Sequence, residues 1–127
     1  MSSKTITIVY WVLTILLVLF SLMDAFGGLT HQAAGVKGVT HLGYPVYLLD
    51  INGVAKIIGA ICLIQTRYRA IKEWAYAGFI ISLICATWSH TVVGDPVINI
   101  IMPIVFLILF LLSYFLWKSY LKLKSIN

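Results

Sequence analysis

Few residues in this 127-residue sequence can do chemistry, so where they stand carries most of the information. Lys56 is the first. It lies about ten residues into an apolar run, Val46–Gln65, which would put its Cα ~15 Å from either surface of a bilayer. An unpaired cation at that depth costs from about 3 to more than about 10 kcal/mol. Lys56 should therefore face other helices and have an anionic or polar partner. Side chains tilt toward the N-terminus of their own helix. Lys56 would then reach toward one end, while Asp24 and His90, on helices running the other way, lean down to meet it. Asp50, His41 and Asp95 fall near the same level, and Asn52 sits one turn from Lys56 on its own helix.

Two arrangements follow from that set. In one, Asp24 or Asp50 neutralises Lys56 and the polar groups only fix helix register. In the other, Lys56, Asp24, His90, Asn52, Asp50 and His41 line a small pocket, with Trp88 and Tyr44 as aromatic walls. There Lys56 would donate to a carbonyl or anionic group, Asp24 would set its charge, and His90 would exchange a proton. Metal binding is not expected, because no HxH, HxxxH or HxxE spacing puts two ligands on one face. No two histidines are matched in depth for haem. Ser89 and His90 are adjacent and point about 100° apart, so they make no nucleophile–base pair. Cys62 and Cys85 form no CxxC and lie at different depths, which suits packing roles and no disulfide. Glu73, beside Lys72 and Arg69, reads as an interfacial ion pair of little energetic worth.

The elements that would position these groups follow from composition. Hydrophobic residues make up 61% of the chain and charged residues 10%, with a mean hydropathy of +1.01. A soluble domain of this size cannot bury so much apolar surface behind so few charges. The net charge of +5 does not indicate a nucleic-acid partner, since the basic residues punctuate apolar runs and form no hydrophilic face. Four runs, 6–23, 46–65, 74–93 and 97–117, each approach the ~20 residues a helix needs to cross hydrocarbon. They lack period-2 alternation, so they are helices. The first run is too long for a signal-peptide core and no A-x-A site follows it, so it reads as a retained span.

The expectation is a single all-α domain, 1–127, forming an antiparallel four-helix bundle in the membrane. Lys4, then Arg67, Arg69 and Lys72, then Lys118, Lys122 and Lys124 fall on one side, against Lys37 alone on the other. That asymmetry predicts both termini in the cytoplasm. Trp11, Trp74 and Trp117 would mark the inner interface. Residues 24–45 read as an outer loop with five glycines, closed by Pro45. Small and polar residues must mark the inner faces, because lipid is as apolar as a neighbouring helix. Those stripes are Thr7, Trp11, Thr14, Val18, Ser21 and Ala25 in the first run, and Asn52, Ala55, Gly59 and Cys62 in the second. The third run has Ala75, Gly78, Ser82, Cys85 and Ser89, and the fourth Asn99, Pro103, Phe106, Phe110, Ser113 and Trp117.

Several segments together resemble the DoxX-like family of small bacterial membrane proteins. They are His41-Leu42-Gly43-Tyr44-Pro45, Gly53-Val54-Ala55-Lys56-Ile57-Ile58-Gly59-Ala60, Lys72-Glu73-Trp74-Ala75-Tyr76-Ala77-Gly78-Phe79, Ser89-His90 and Gly94-Asp95-Pro96. The resemblance extends from the first span to Ser113-Tyr114. It implies a bacterial inner-membrane location and a link to membrane redox systems. The wider group is named for a membrane subunit of a thiosulfate:quinone oxidoreductase. Related four-helix membrane folds include small-molecule isomerases and ligand-binding proteins. A quinone-type amphiphile is thus the expected ligand, with the bilayer, a redox partner protein and a second copy of the chain as partners. Two alternatives differ in class: a small transporter of an anionic substrate, and a non-catalytic assembly subunit for an oxidoreductase.

Overall fold

The computed structural model describes residues 2–126, which form five helices joined by short turns. Helix α1, Ser3–Leu29, starts where the Ser2 side chain accepts a hydrogen bond from the Thr5 N–H at 3.2 Å. It ends where Thr30 Oγ1 donates back to the Phe26 carbonyl at 2.8 Å. The expected outer loop, 24–45, is corrected on two counts. Its first residues continue α1, and Ala33–His41 form a short helix, α2. Packing explains the first correction. Gly28 lies so close to Leu49 that an added Cβ would sit 3.2 Å from the Leu49 carbonyl oxygen, and this contact rewards continued helix despite two glycines. Gly43, at φ +87°, then turns the chain toward Pro45.

Helix α3 is Leu48–Ile64, α4 is Arg69–Val92 and α5 is Val97–Ile126. Gly94, at φ +75°, makes the tight α4–α5 turn. Helix α5 runs well past the expected end at Trp117, because Tyr120 and Leu121 still pack on the core. It also carries Pro103 within its length. α1, α3, α4 and α5 pack in that cyclic order, and α2 rests on α1 and α3. α1, α4 and α5 are long and apolar enough to cross a membrane. α3 has 17 residues, about 25 Å of helix. Ile8, Val12, Phe20, Ile58, Ile61 and Ile108 are all exposed on the outer surface, as a lipid-facing surface requires.

The core is Tyr10, Leu17, Val18, Ala60, Leu63, Tyr76, Phe79, Phe110 and Trp117, with the Phe79 and Phe110 rings stacked at 4.7 Å. Most of the expected stripes of α1 and α5 lie in or against it: Thr14, Val18, Ser21, Ala25, Phe110, Ser113 and Trp117 are buried and Trp11 and Phe106 pack against them, whereas Asn99, in the first turn of α5, is exposed. Those of α3 and α4 are mostly turned aside, with Ala75 buried in the core and Cys62 packed against it. Gly53, Ala60 and Leu63 face inward on α3, and Tyr76 and Phe79 do so on α4. An added Cβ would lie 2.7 Å from the Phe79 ring at Gly59, whereas at Gly78 it would meet nothing. Trp117 is also corrected. It is a core residue stacked near Tyr76, and Trp74 keeps the exposed position suited to an interface.

Candidate functional site

Lys56 Nζ donates to Asp24 Oδ2, linking α3 to α1. Lys56 is 28% exposed and Asp24 65%, so the pair sits at the flank of the molecule, outside its sealed core. Lys56 also borders a groove of about 430 Å³ between α3 and α4. Asn52 and Lys56 supply the polar end. Ala55, Gly59, Phe79 and Trp74 supply apolar wall, and Gly78 leaves part of it open. The displaced stripe of small residues on α3 and α4 therefore forms this groove: Asn52, Ala55, Gly59, Cys62, Ala75, Gly78 and Ser82 all line it.

The remaining candidates form a separate cluster at the α2 end. Asp95 lies between two imidazoles. His41 Nε2 donates to Asp95 Oδ1, and His90 Nδ1 donates to Asp95 Oδ2 at 2.5 Å. An ionised carboxylate only accepts, so these bonds fix which ring nitrogen of each histidine carries a proton. The hydrogen bond from His41, then that from His90, holds the Asp95 carboxyl below the usual carboxylate range. Its side chain is only 5% exposed. Beside the cluster, Tyr44 and Ser89 share a hydroxyl–hydroxyl hydrogen bond of 2.5 Å.

The expected convergence of His90 on Lys56 is thus not made. Asp50 is also drawn elsewhere, accepting from His31 Nε2 at 2.9 Å. His31 was not singled out from sequence. The signal for it is backbone: it sits at φ +53° just past α1, a conformation that histidine tolerates better than most residues. Trp88 is 72% exposed and does not line the groove. Among the described residues, no group of three or more His, Cys, Asp or Glu side chains is placed to hold a metal ion.

The opposite end holds what the sequence reading misjudged. Glu73 pairs with Lys118 on α5, not with Lys72 or Arg69, because α4 and α5 are packed neighbours. Lys72 instead turns inward. It is 2% exposed and donates to the Tyr10 hydroxyl at 2.6 Å, with the Trp11 and Trp117 rings each 5.6 Å away. Below it, Ser113 Oγ is 2.7 Å from the Tyr76 hydroxyl and 3.2 Å from Thr14 Oγ1. No buried side-chain polar atom among the described residues lacks a partner.

A helical chain with three helices able to cross a bilayer, an apolar outer surface and polar groups gathered inside and at its ends is a small membrane protein of the polytopic class. Its sequence matches the DoxX-like family over residues 12–113, and the chain belongs to that family. The match extends from α1 into α5, so it takes in the groove and the histidine cluster. No curated protein and no solved structure matches the chain.

Proposed function

We propose that the protein is a four-helix bundle of the bacterial inner membrane, with both termini cytoplasmic, that binds a small amphiphile such as a quinone. In this reading the α3–α4 groove receives the apolar part of the ligand, and Lys56 and Asn52 donate to its carbonyl. The observation that carries the reading is the pairing of about 430 Å³ of mainly apolar groove with an ammonium and an amide at one end. A quinone fits that donor set, since its ring needs apolar faces and its oxygens need hydrogen-bond donors. Lys56 is already neutralised by Asp24, which favours a neutral carbonyl over an anionic cargo. His41, Asp95 and His90 would serve as a separate proton-exchanging group at the α2 end, outside the ligand contacts.

The test measures binding of short-chain ubiquinone and menaquinone analogues to detergent-purified protein, by quenching of tryptophan fluorescence; Trp74 lies in the groove wall. Lys56→Met should weaken binding by about tenfold or more, the loss expected when a hydrogen bond to a charged group disappears. Gly78→Phe should block the groove without disturbing the core, because its Cβ would meet no neighbour within 4 Å. Quinone binding equal to the parent's in both variants overturns the reading.

A further inference from the structure

The end of the molecule near the chain termini holds a second cavity, of about 310 Å³, where the α3–α4 turn meets the last turns of α5. Arg67, Arg69, Lys72 and Lys124 border it, and no described lining residue is acidic. Rings lie against three of these cations in place of carboxylates. The Arg67 guanidinium is 5.3 Å from the Tyr68 ring centre, Lys124 Nζ 5.1 Å from Tyr120 and Lys72 Nζ 5.6 Å from Trp117. A π face orients a cation without neutralising it, so the cavity keeps its positive potential. Glu73, the nearest acid in sequence, is engaged by Lys118.

The turn is also held in shape. Gln65 Oε1 accepts from the Arg67 and Tyr68 N–H groups at 3.0 and 2.8 Å, while Gln65 Nε2 donates to the Cys62 and Tyr68 carbonyls at 3.1 and 2.8 Å. Arg67 and Arg69 are thereby presented from a fixed backbone, which lowers the ordering cost of binding. α4 begins at Arg69, so the positive end of its dipole adds to the field. Lys72, fixed by the Tyr10 hydroxyl, supplies the buried cation among the lining groups.

We propose that this cavity is an anion site for a phosphate group, carried either by the headgroup of an acidic lipid or by a small phosphate ester. Two arginines suit the planar, bidentate geometry of phosphate oxygens. The site shares no lining residue with the α3–α4 groove and does not depend on the quinone reading.

The experiment is native mass spectrometry of detergent-purified protein titrated with phosphatidylglycerol, phosphatidylcholine or glycerol 3-phosphate. Phosphatidylglycerol retained in preference to phosphatidylcholine identifies a lipid headgroup. Retention of glycerol 3-phosphate at similar concentration identifies a soluble ester. In either case Arg67→Gln and Arg69→Gln, both at exposed positions, should each weaken binding by about fivefold. Lys4→Gln, an exposed cation near the same end but outside the cavity lining, should leave it unchanged. The proposal is overturned if neither phosphate compound is retained over phosphatidylcholine, if neither arginine variant weakens binding, or if Lys4→Gln weakens it as much.

Discussion

Lys56 and Lys72 are two lysines in two helices, and the molecule treats them in opposite ways. Lys56 stands at the middle of α3, partly exposed, and is paired with a carboxylate on α1. Lys72 stands in the first turn of α4, where a cation is ordinarily interfacial, yet it is almost completely enclosed and has a phenol and two indoles for company. Depth along a helix and burial within the protein are thus separate variables. A mid-helix cation in lipid needs a counter-charge, because hydrocarbon offers nothing else. A cation near the surface can be enclosed by hydroxyl and ring faces, with its long stem packed among apolar groups.

The largest test of that contrast is Lys72→Ala. Removing the stem from the core and leaving Tyr10 without its donor should cost about 3 kcal/mol of stability in detergent denaturation. Lys72→Met, which keeps the stem, should cost only about 1 kcal/mol. Equal losses in the two variants would mean that the charge, not the packing, matters at that position.

At the other lysine the asymmetry should run between partners. Asp24→Asn leaves Lys56 charged without its carboxylate and should cost about 2 kcal/mol. Lys56→Met removes the cation itself and should change stability by less than about 1 kcal/mol. Thermal unfolding in lipid nanodiscs would decide between them, and a Lys56→Met cost at or above that of Asp24→Asn would break the contrast.

The smallest effect belongs to the histidine cluster. The carboxyl of Asp95 titrates below its ordinary value in the folded protein, because His41 and His90 donate to it. Its stabilising contribution is therefore complete above the unfolded carboxylate value of about 4 and is lost as pH falls through the lower folded value. Asp95→Asn should lower stability at neutral pH and flatten that part of its fall towards acid, read by thermal unfolding across the pH range.

Some of this was legible in the sequence. Thr14, Val18, Ser21, Ala25, Phe110, Ser113 and Trp117 were marked for the interior and are there, because α1 and α5 combine small or polar residues with large rings on one face. On α3 and α4 the same rule picked Ala75, which is buried, but also Asn52, Ala55, Gly59, Cys62, Gly78 and Ser82, which line an open groove. Small residues mark close approach or empty space equally well. Only the Phe79 ring against Gly59, and nothing against Gly78, distinguishes the two.

Composition and hydropathy alone determined that this chain is helical and apolar on its outside. Those properties are sums over residues, and each residue contributes without reference to its neighbours in space. What the tertiary structure decided is rotation: which side of each helix turns inward, and hence which lysine is enclosed. Each residue step turns the helix by about 100°, and a face that meets lipid is as apolar as one that meets protein. Partners such as Asp95 for His41 or Lys118 for Glu73 exist only once those rotations are set.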